Sequence, residues 1–156
     1  MKFGRFAVAI ATLFGIGTSP VFPGTLGSFF GTLLYALAIQ NLKASTAIFT
    51  VIFLVLVAIV ICDMAEKEIG EVDPGCIVLD EFVAMPICFI GVRNLDANRL
   101  LLIAAGFVIF RIFDIFKPLG IKRTQNLSGG IGIVIDDVVA AFYTNITLAL
   151  ICLTIL

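Results

Sequence analysis

Two pairs of adjacent carboxylates interrupt an otherwise apolar sequence. They are Asp80-Glu81 in "VLDEFVAMPI" and Asp136-Asp137 in "VIDDVVAAF". Between them Arg111, Asp114 and Lys117 recur at i, i+3 and i+6, a spacing that puts all three on one helix face at one membrane depth. Gathering so many carboxylates in one place without positive charge is repulsive. A divalent cation removes that repulsion, and the side chains present select which cation. The chain has no histidine, and oxygen donors alone suit Mg²⁺ or Mn²⁺. Arg111, Lys117, Lys122 and Arg123 suit a phosphate. Carboxylates, a hard cation and basic side chains at headgroup level make a site for a phosphorylated lipid.

Each piece also has a plainer role. An aspartate at a helix start serves as an N-cap and favours the macrodipole. Two such acidic pairs in one small chain exceed what capping requires. Arg111 and Asp114 also suit a structural ion pair. Asp63, Glu66, Lys67 and Glu68 suit a solvated helix end, and Ser128–Gly132 suits either a backbone phosphate cradle or a flexible turn. Several phosphatase chemistries are excluded. Only four residues lie between Cys88 and Arg93 where a Cys-x5-Arg motif has five, a phosphohistidine needs histidine, and no aspartyl-phosphate motif, P-loop or CDP-alcohol transferase motif is present. Metal-activated water or an aspartate nucleophile remains.

The elements that must position these residues are membrane-like. Apolar residues make up 61% of the 156 and charged residues 13%, against about 45–50% and about 25% in soluble domains. Mean hydropathy is +1.19. A net charge of −1 gives no sign of a nucleic-acid partner. The four cysteines form no CxxC pair, and three lie in apolar sequence where they act as small hydrophobes. The chain reads as one membrane-embedded domain over residues 1–156. Phe6–Gly17 is too short to span and predicts a re-entrant or interfacial helix, retained rather than cleaved. Four spanning or near-spanning helices are expected after it: Thr25–Ile39 with Gly27 and Gly31 at close-packing spacing, Ala47–Cys62, Leu100–Phe116 and Val138–Leu156, with a short apolar helix over Val78–Val92 between the second and third. Lys117–Gly132 then reads as a polar loop and Val138–Leu156 as the last span, so that Asp136 and Asp137 stand at its mouth. The expected class is an all-α polytopic bundle. Alternating the loops gathers most of the basic residues, and every carboxylate except Asp96, on one side. The positive-inside rule makes that side cytoplasmic.

Four blocks in order, "GIGTSPVFPGTLGS", "VLDEFVAMPI", "AAGFVIFRIFDIFKP" and "GGIGIVIDDVVAA", resemble the bacterial phosphatidylglycerophosphatase A family. The resemblance implies an all-helical, Mg²⁺-dependent phosphatase of the bacterial inner membrane. Its reaction would convert phosphatidylglycerophosphate to phosphatidylglycerol and phosphate. Carried onto this chain, the motif acids are Asp80, Glu81, Asp114, Asp136 and Asp137. The motif cations are Arg111 and Lys117, and the N-terminal loop supplies Ser19, Pro23, Gly24 and Thr25. In roles assigned on that basis, Asp80, Glu81, Asp136 and Asp137 form the metal set, with Glu81 either ligand or base, and Asp114 binds metal or orients Arg111. Arg111 and Lys117 would neutralise the scissile phosphate, and Ser19 and Thr25 would donate to its oxygens. The competing class is a small divalent-cation transporter with acids lining a pathway. Clustering of the acids at one face, rather than at successive depths, favours the enzyme. A third class, a structural protein packed through Gly27 and Gly31, leaves the acidic pairs without a use.

Overall fold

The computed structural model describes residues 2–92, 99–118 and 127–155. Lys122 and Arg123, two of the proposed phosphate cations, lie outside the described residues. Among the described residues the chain is all-helical. The α-helices are α1 (Lys2–Ala11), α2 (Pro23–Leu37), α3 (Ala44–Ile69), α4 (Leu79–Ala84), α5 (Arg99–Phe116) and α6 (Gly129–Ile155). Short 3₁₀ turns lie at Ile16–Thr18, Ile39–Asn41 and Met85–Phe89.

Two of these helices are long and apolar enough to cross a membrane. They are Ala44–Ile69 and Gly129–Thr154, 26 residues each. At ~1.5 Å per residue each exceeds the ~30 Å hydrocarbon thickness. Only 22% of the apolar window of α3 is buried inside the protein. Phe49, Ile52, Phe53, Leu56 and Val60 face outward instead. A soluble protein would hide such a helix in its core, so an exposed apolar face of this extent fits lipid. The sequence led to the expectation of four spans. The other helices are shorter: α2 has 15 residues and α5 has 18, including Arg99, Arg111 and Asp114. The N-terminal helix α1 has ten residues, lies along α3 and leaves Phe3 and Phe6 outward. That is too short to span, as expected of an interfacial segment.

The expected helix over Val78–Val92 is broken in two. α4 ends after six residues, and a 3₁₀ turn runs from Met85 to Phe89 with Pro86 in its first positions. Proline has no N–H to continue an α-helix, and its ring clashes with the preceding turn. The broken element runs through the middle of the protein, packed by α2, α3, α5 and α6. Met85, Cys88 and Phe89 are fully buried there. Phe89 stacks on Tyr35 at 4.7 Å and lies over Gly106 of α5, where a Cβ would overlap its ring.

A broken helix in an apolar interior leaves carbonyls that lipid cannot satisfy. Asn145 of α6 answers this: its Nδ2 donates to the carbonyls of Ile87, Cys88 and Ile90 at 3.1, 3.1 and 2.9 Å. Asn145→Leu is therefore expected to destabilise the fold by about 1–3 kcal/mol, the cost of stranding buried acceptors. Thermal unfolding in detergent would show a lowered midpoint. An unchanged midpoint would mean that these carbonyls find other partners.

The last helix begins at Gly129, not at Val138. The glycine cluster read as part of a loop is its first turn. A Cβ on Gly130 would overlap the Ile59 carbonyl and stand 2.9 Å from the Asp63 Cβ. Glycine lets the start of α6 lie directly on the α3 backbone. Asp63 Oδ1 accepts from the Gly130 N–H at 3.5 Å, so the acid comes from α3 to meet one of α6's unpaired first N–H groups. Asp63 also pairs with Lys67 at 2.6 Å on the exposed helix end. Asp136 and Asp137 thus sit about 10 Å inside α6, two turns from its start. Neither can be an N-cap.

Candidate functional site

Asp80 and Glu81 do open a helix, occupying the first turn of α4. The residue before the helix is Val78, whose side chain makes no cap. Both acids are buried, and each has one oxygen without a hydrogen-bond partner among the described residues: Asp80 Oδ1 and Glu81 Oε2. Room for Glu81 comes from α2. A Cβ on Gly24 would overlap Glu81 Oε1, and one on Gly27 would stand 2.7 Å from Glu81 Oε2. One turn further on, a Cβ on Gly31 would overlap the Phe82 carbonyl and stand 2.9 Å from the Met85 Cβ. The glycine seam expected from Gly27 and Gly31 exists, and it receives α4 and a carboxylate.

From α5, Arg111 Nη1 lies 2.7 Å from Glu81 Oε1 and 2.7 Å from Asp114 Oδ2. It also donates to Ser28 Oγ at 3.2 Å, while that hydroxyl donates to the Gly24 carbonyl at 2.9 Å. One guanidinium therefore ties α2, α4 and α5 together. Lys117 is not on the helix face with Arg111 and Asp114 but just past its end. It has φ +45°, and its N–H closes the last turn on the Phe113 carbonyl at 2.8 Å. A left-handed residue followed by proline is a common helix stop. A non-glycine residue there costs roughly 1–2 kcal/mol. The stop lets the Lys117 ammonium meet Asp136 of α6 in an ion pair.

A cavity of about 250 Å³ lies among these groups. Asp80, Glu81, Asp114, Asp136 and Asp137 line it with Arg111 and Lys117, so the structure brings together all seven motif acids and cations. Ser19 and Thr25 are not brought in. The Ser19 hydroxyl bonds within its own turn to Val21, and neither residue lines the cavity, although Gly24 beside Thr25 does. Asp73, from the turn between α3 and α4, lines the cavity as well. Sequence reasoning passed over Asp73 because Asp-Pro-Gly marks a turn. It also passed over Ser28, which stands one residue after Gly27 on the seam.

The electrostatics follow from burial. Desolvation pushes the Asp80 carboxyl well above the usual carboxylate range, and the neighbouring Glu81 charge adds to it. Desolvation also lifts Glu81, which Arg111 pulls back, to about 7. Burial alone would lower the Lys117 value, but its hydrogen bond to Asp136 and the surrounding carboxylates hold it above the ordinary lysine range.

Asp136 is engaged at both oxygens, one on Lys117 and the other accepting from the Asp137 N–H at 3.1 Å. Among the described residues no group of three or more acids or cysteines is arranged to hold a metal ion as it stands. The donor chemistry nonetheless suits a hard cation. The lining supplies only oxygen ligands, and Asp80 Oδ1 and Glu81 Oε2 have no hydrogen-bond partner among the described residues.

Residues 9–152 match the family described as phosphatidylglycerophosphatase A. The chain belongs to that family. An Escherichia coli phosphatidylglycerophosphatase A is 39% identical over 132 residues, covering 84% of this chain and 74% of its own. A Haemophilus influenzae protein of the same name is 36% identical over 138 residues, 88% of this chain and 83% of its own. A Bacteroides thetaiotaomicron protein, provisionally named a phosphatidylinositol-3-phosphatase, is 38% identical over 147 residues and 91% of both chains. No solved structure matches. Membership in this family supports a lipid-phosphatase role. Together with the two membrane-length helices it supports a multi-pass location in a bacterial membrane.

Proposed function

We propose that the protein is a Mg²⁺-dependent phosphatase of the bacterial inner membrane that hydrolyses phosphatidylglycerophosphate to phosphatidylglycerol and phosphate. One observation carries this most: a polar cavity in an apolar helical protein, lined by the paired acids and by Arg111 and Lys117. That lining suits a phosphomonoester dianion better than the rest of a lipid. Arg5 lies beside Glu68 and Ile69 at the C-terminal end of α3, Lys67 is on that same end, and the turn that follows supplies Asp73 to the cavity, which favours a cytoplasmic opening.

Asp80 and Asp137 would hold the cation, with the free oxygen of Glu81 beside them. A bound Mg²⁺ would screen the phosphate's charge and acidify a water. Arg111 and Lys117 orient the phosphate and neutralise charge as it moves to the leaving oxygen. Asp136 and Asp114 fix those two cations. Glu81, poised near neutrality, accepts the proton of the attacking water and returns it to the glycerol oxygen as the phosphorus–oxygen bond to glycerol breaks. Transport is disfavoured because the polar lining ends with Asp137. From Val138 onward α6 faces an apolar groove lined by α3 residues, and Asn145 is tied to the broken helix.

The test is phosphate release from a panel of lipid phosphomonoesters in detergent, with Mg²⁺ and with EDTA. Phosphatidylglycerophosphate is expected to be the preferred substrate, and EDTA to abolish release. Preference for phosphatidylinositol 3-phosphate would move the assignment toward the activity named for the Bacteroides relative. Full release in EDTA would remove the cation.

A further inference from the structure

The contacts sort the cavity's acids into two groups. Glu81 and Asp114 share Arg111, and Asp136 holds Lys117. Asp80, Asp137 and Asp73 have no cationic partner among the described residues. Asp80 is 8% exposed with its Oδ1 unpartnered, and Asp137 is 3% exposed, so two uncompensated carboxylates are buried at one wall of the cavity. Asp73 differs from them in being exposed and in coming from a turn rather than a packed helix.

That turn is built to present a carboxylate. Gly70 ends α3 in the left-handed region at φ +79°. Asp73 itself has φ +48°, a conformation that aspartate tolerates better than most residues, and its N–H is fixed to Glu66 Oε1 at 3.1 Å. Pro74 is buried behind it, while a Cβ on Gly75 would meet nothing within 4 Å. The backbone is thus anchored on one side and open on the other, with the acid facing the cavity.

We propose that Asp73 is a third ligand to the divalent cation, joining the buried Asp80 and Asp137 from the α3–α4 turn, while Asp136 and Asp114 fix Lys117 and Arg111. This rests on the cation-dependent reading above and deepens it. Two fixed buried acids and one on an adjustable turn give a site that closes when the ion arrives. Such a site admits the ion from the cavity mouth and orders the turn as it binds.

The test uses the full chain in detergent and Mn²⁺ as probe, titrated by electron paramagnetic resonance without substrate. Asp73→Asn keeps the shape and the left-handed tolerance of the residue. It is expected to weaken Mn²⁺ binding about tenfold, while Glu71→Gln, which removes an exposed charge two residues away from outside the cavity, changes it less than about twofold. Asp80→Asn is expected to abolish binding. Cys76 provides a second readout, since it is part-exposed on the same turn while Cys62, Cys88 and Cys152 are buried. Alkylation of Cys76 should slow with Mg²⁺ in the parent chain and not in Asp73→Asn. If Asp73→Asn binds Mn²⁺ as tightly as Glu71→Gln while Asp80→Asn does not bind, the role of Asp73 is overturned and the cation reading stands. If the parent chain itself binds no Mn²⁺, both fall.

Discussion

Asp80→Asn is expected to lower phosphate release about a hundredfold or more while raising the thermal midpoint of the cation-free protein. The loss follows from removing an oxygen ligand proposed for the cation. The gain in stability follows from burial. Asp80 is almost fully enclosed, its Oδ1 has no partner among the described residues, and Glu81 adds like charge beside it. Uncompensated buried charge costs several kcal/mol, and a neutral amide of the same shape removes that cost. A capping role predicts the opposite sign. An acid in the first turn of a helix stabilises by about 0.3–1 kcal/mol, so its loss would lower the midpoint. The direction of the shift, measured by thermal unfolding in EDTA beside phosphate release in Mg²⁺, separates the two. A lowered midpoint with retained activity would reduce Asp80 to a helix-start residue. Stability given up at a binding site for function is a common pattern.

The same contrast shows what could be read from the sequence. The all-helical class was legible because apolar runs of this length admit no other structure in lipid. The acidic pairs and the basic residues of α5 were legible as a site because charge in such a chain needs a reason. Their relation to the helices was less so. Gly129, Gly130 and Gly132 read as a loop, since glycine is a poor helix former. In the fold Gly129 and Gly130 let α6 lie on α3, a tertiary contact invisible to local propensity, while Gly132 makes room for the Leu127 carbonyl. Moving the helix start back to Gly129 changes Asp136 and Asp137 from candidate caps into acids two turns inside. Pro86 was visible inside an apolar run, but the central 3₁₀ turn it produces is held by Asn145, 59 positions later. The apparent i, i+3, i+6 face of Arg111, Asp114 and Lys117 assumed one continuous helix. Lys117 instead terminates it in a left-handed conformation, and this is what turns the ammonium toward α6. Ser19 and Thr25 belong to a motif block whose useful members, in this structure, are Gly24, Gly27 and Ser28, which make room for Glu81 and steady Arg111.

Arg111→Met should be among the most damaging substitutions for both stability and turnover, and a companion variant separates the two effects. Arg111 is largely buried, and its Nη1 serves Glu81, Asp114 and Ser28 at once. Deleting it strands the buried Glu81 and the half-buried Asp114. Breaking a buried pair in this way costs about 3–5 kcal/mol, because the partners keep their desolvation cost and lose their compensation. Turnover should fall about a hundredfold to a thousandfold if the guanidinium also stabilises charge on the phosphate. The double variant Arg111→Met with Asp114→Asn neutralises one stranded acid and leaves Glu81 in place. It should recover a good part of the lost midpoint, since residues in direct contact couple strongly. It should recover none of the turnover, because no positive group would then face the substrate from α5. Recovery of both together would make Arg111 a structural tie between α2, α4 and α5 and leave the phosphate to Lys117. Arg111→Lys completes the comparison. A lysine keeps the charge but not the planar fork that meets acceptors from three helices. It should therefore hold more of the stability than methionine does while turnover stays well below that of the parent chain.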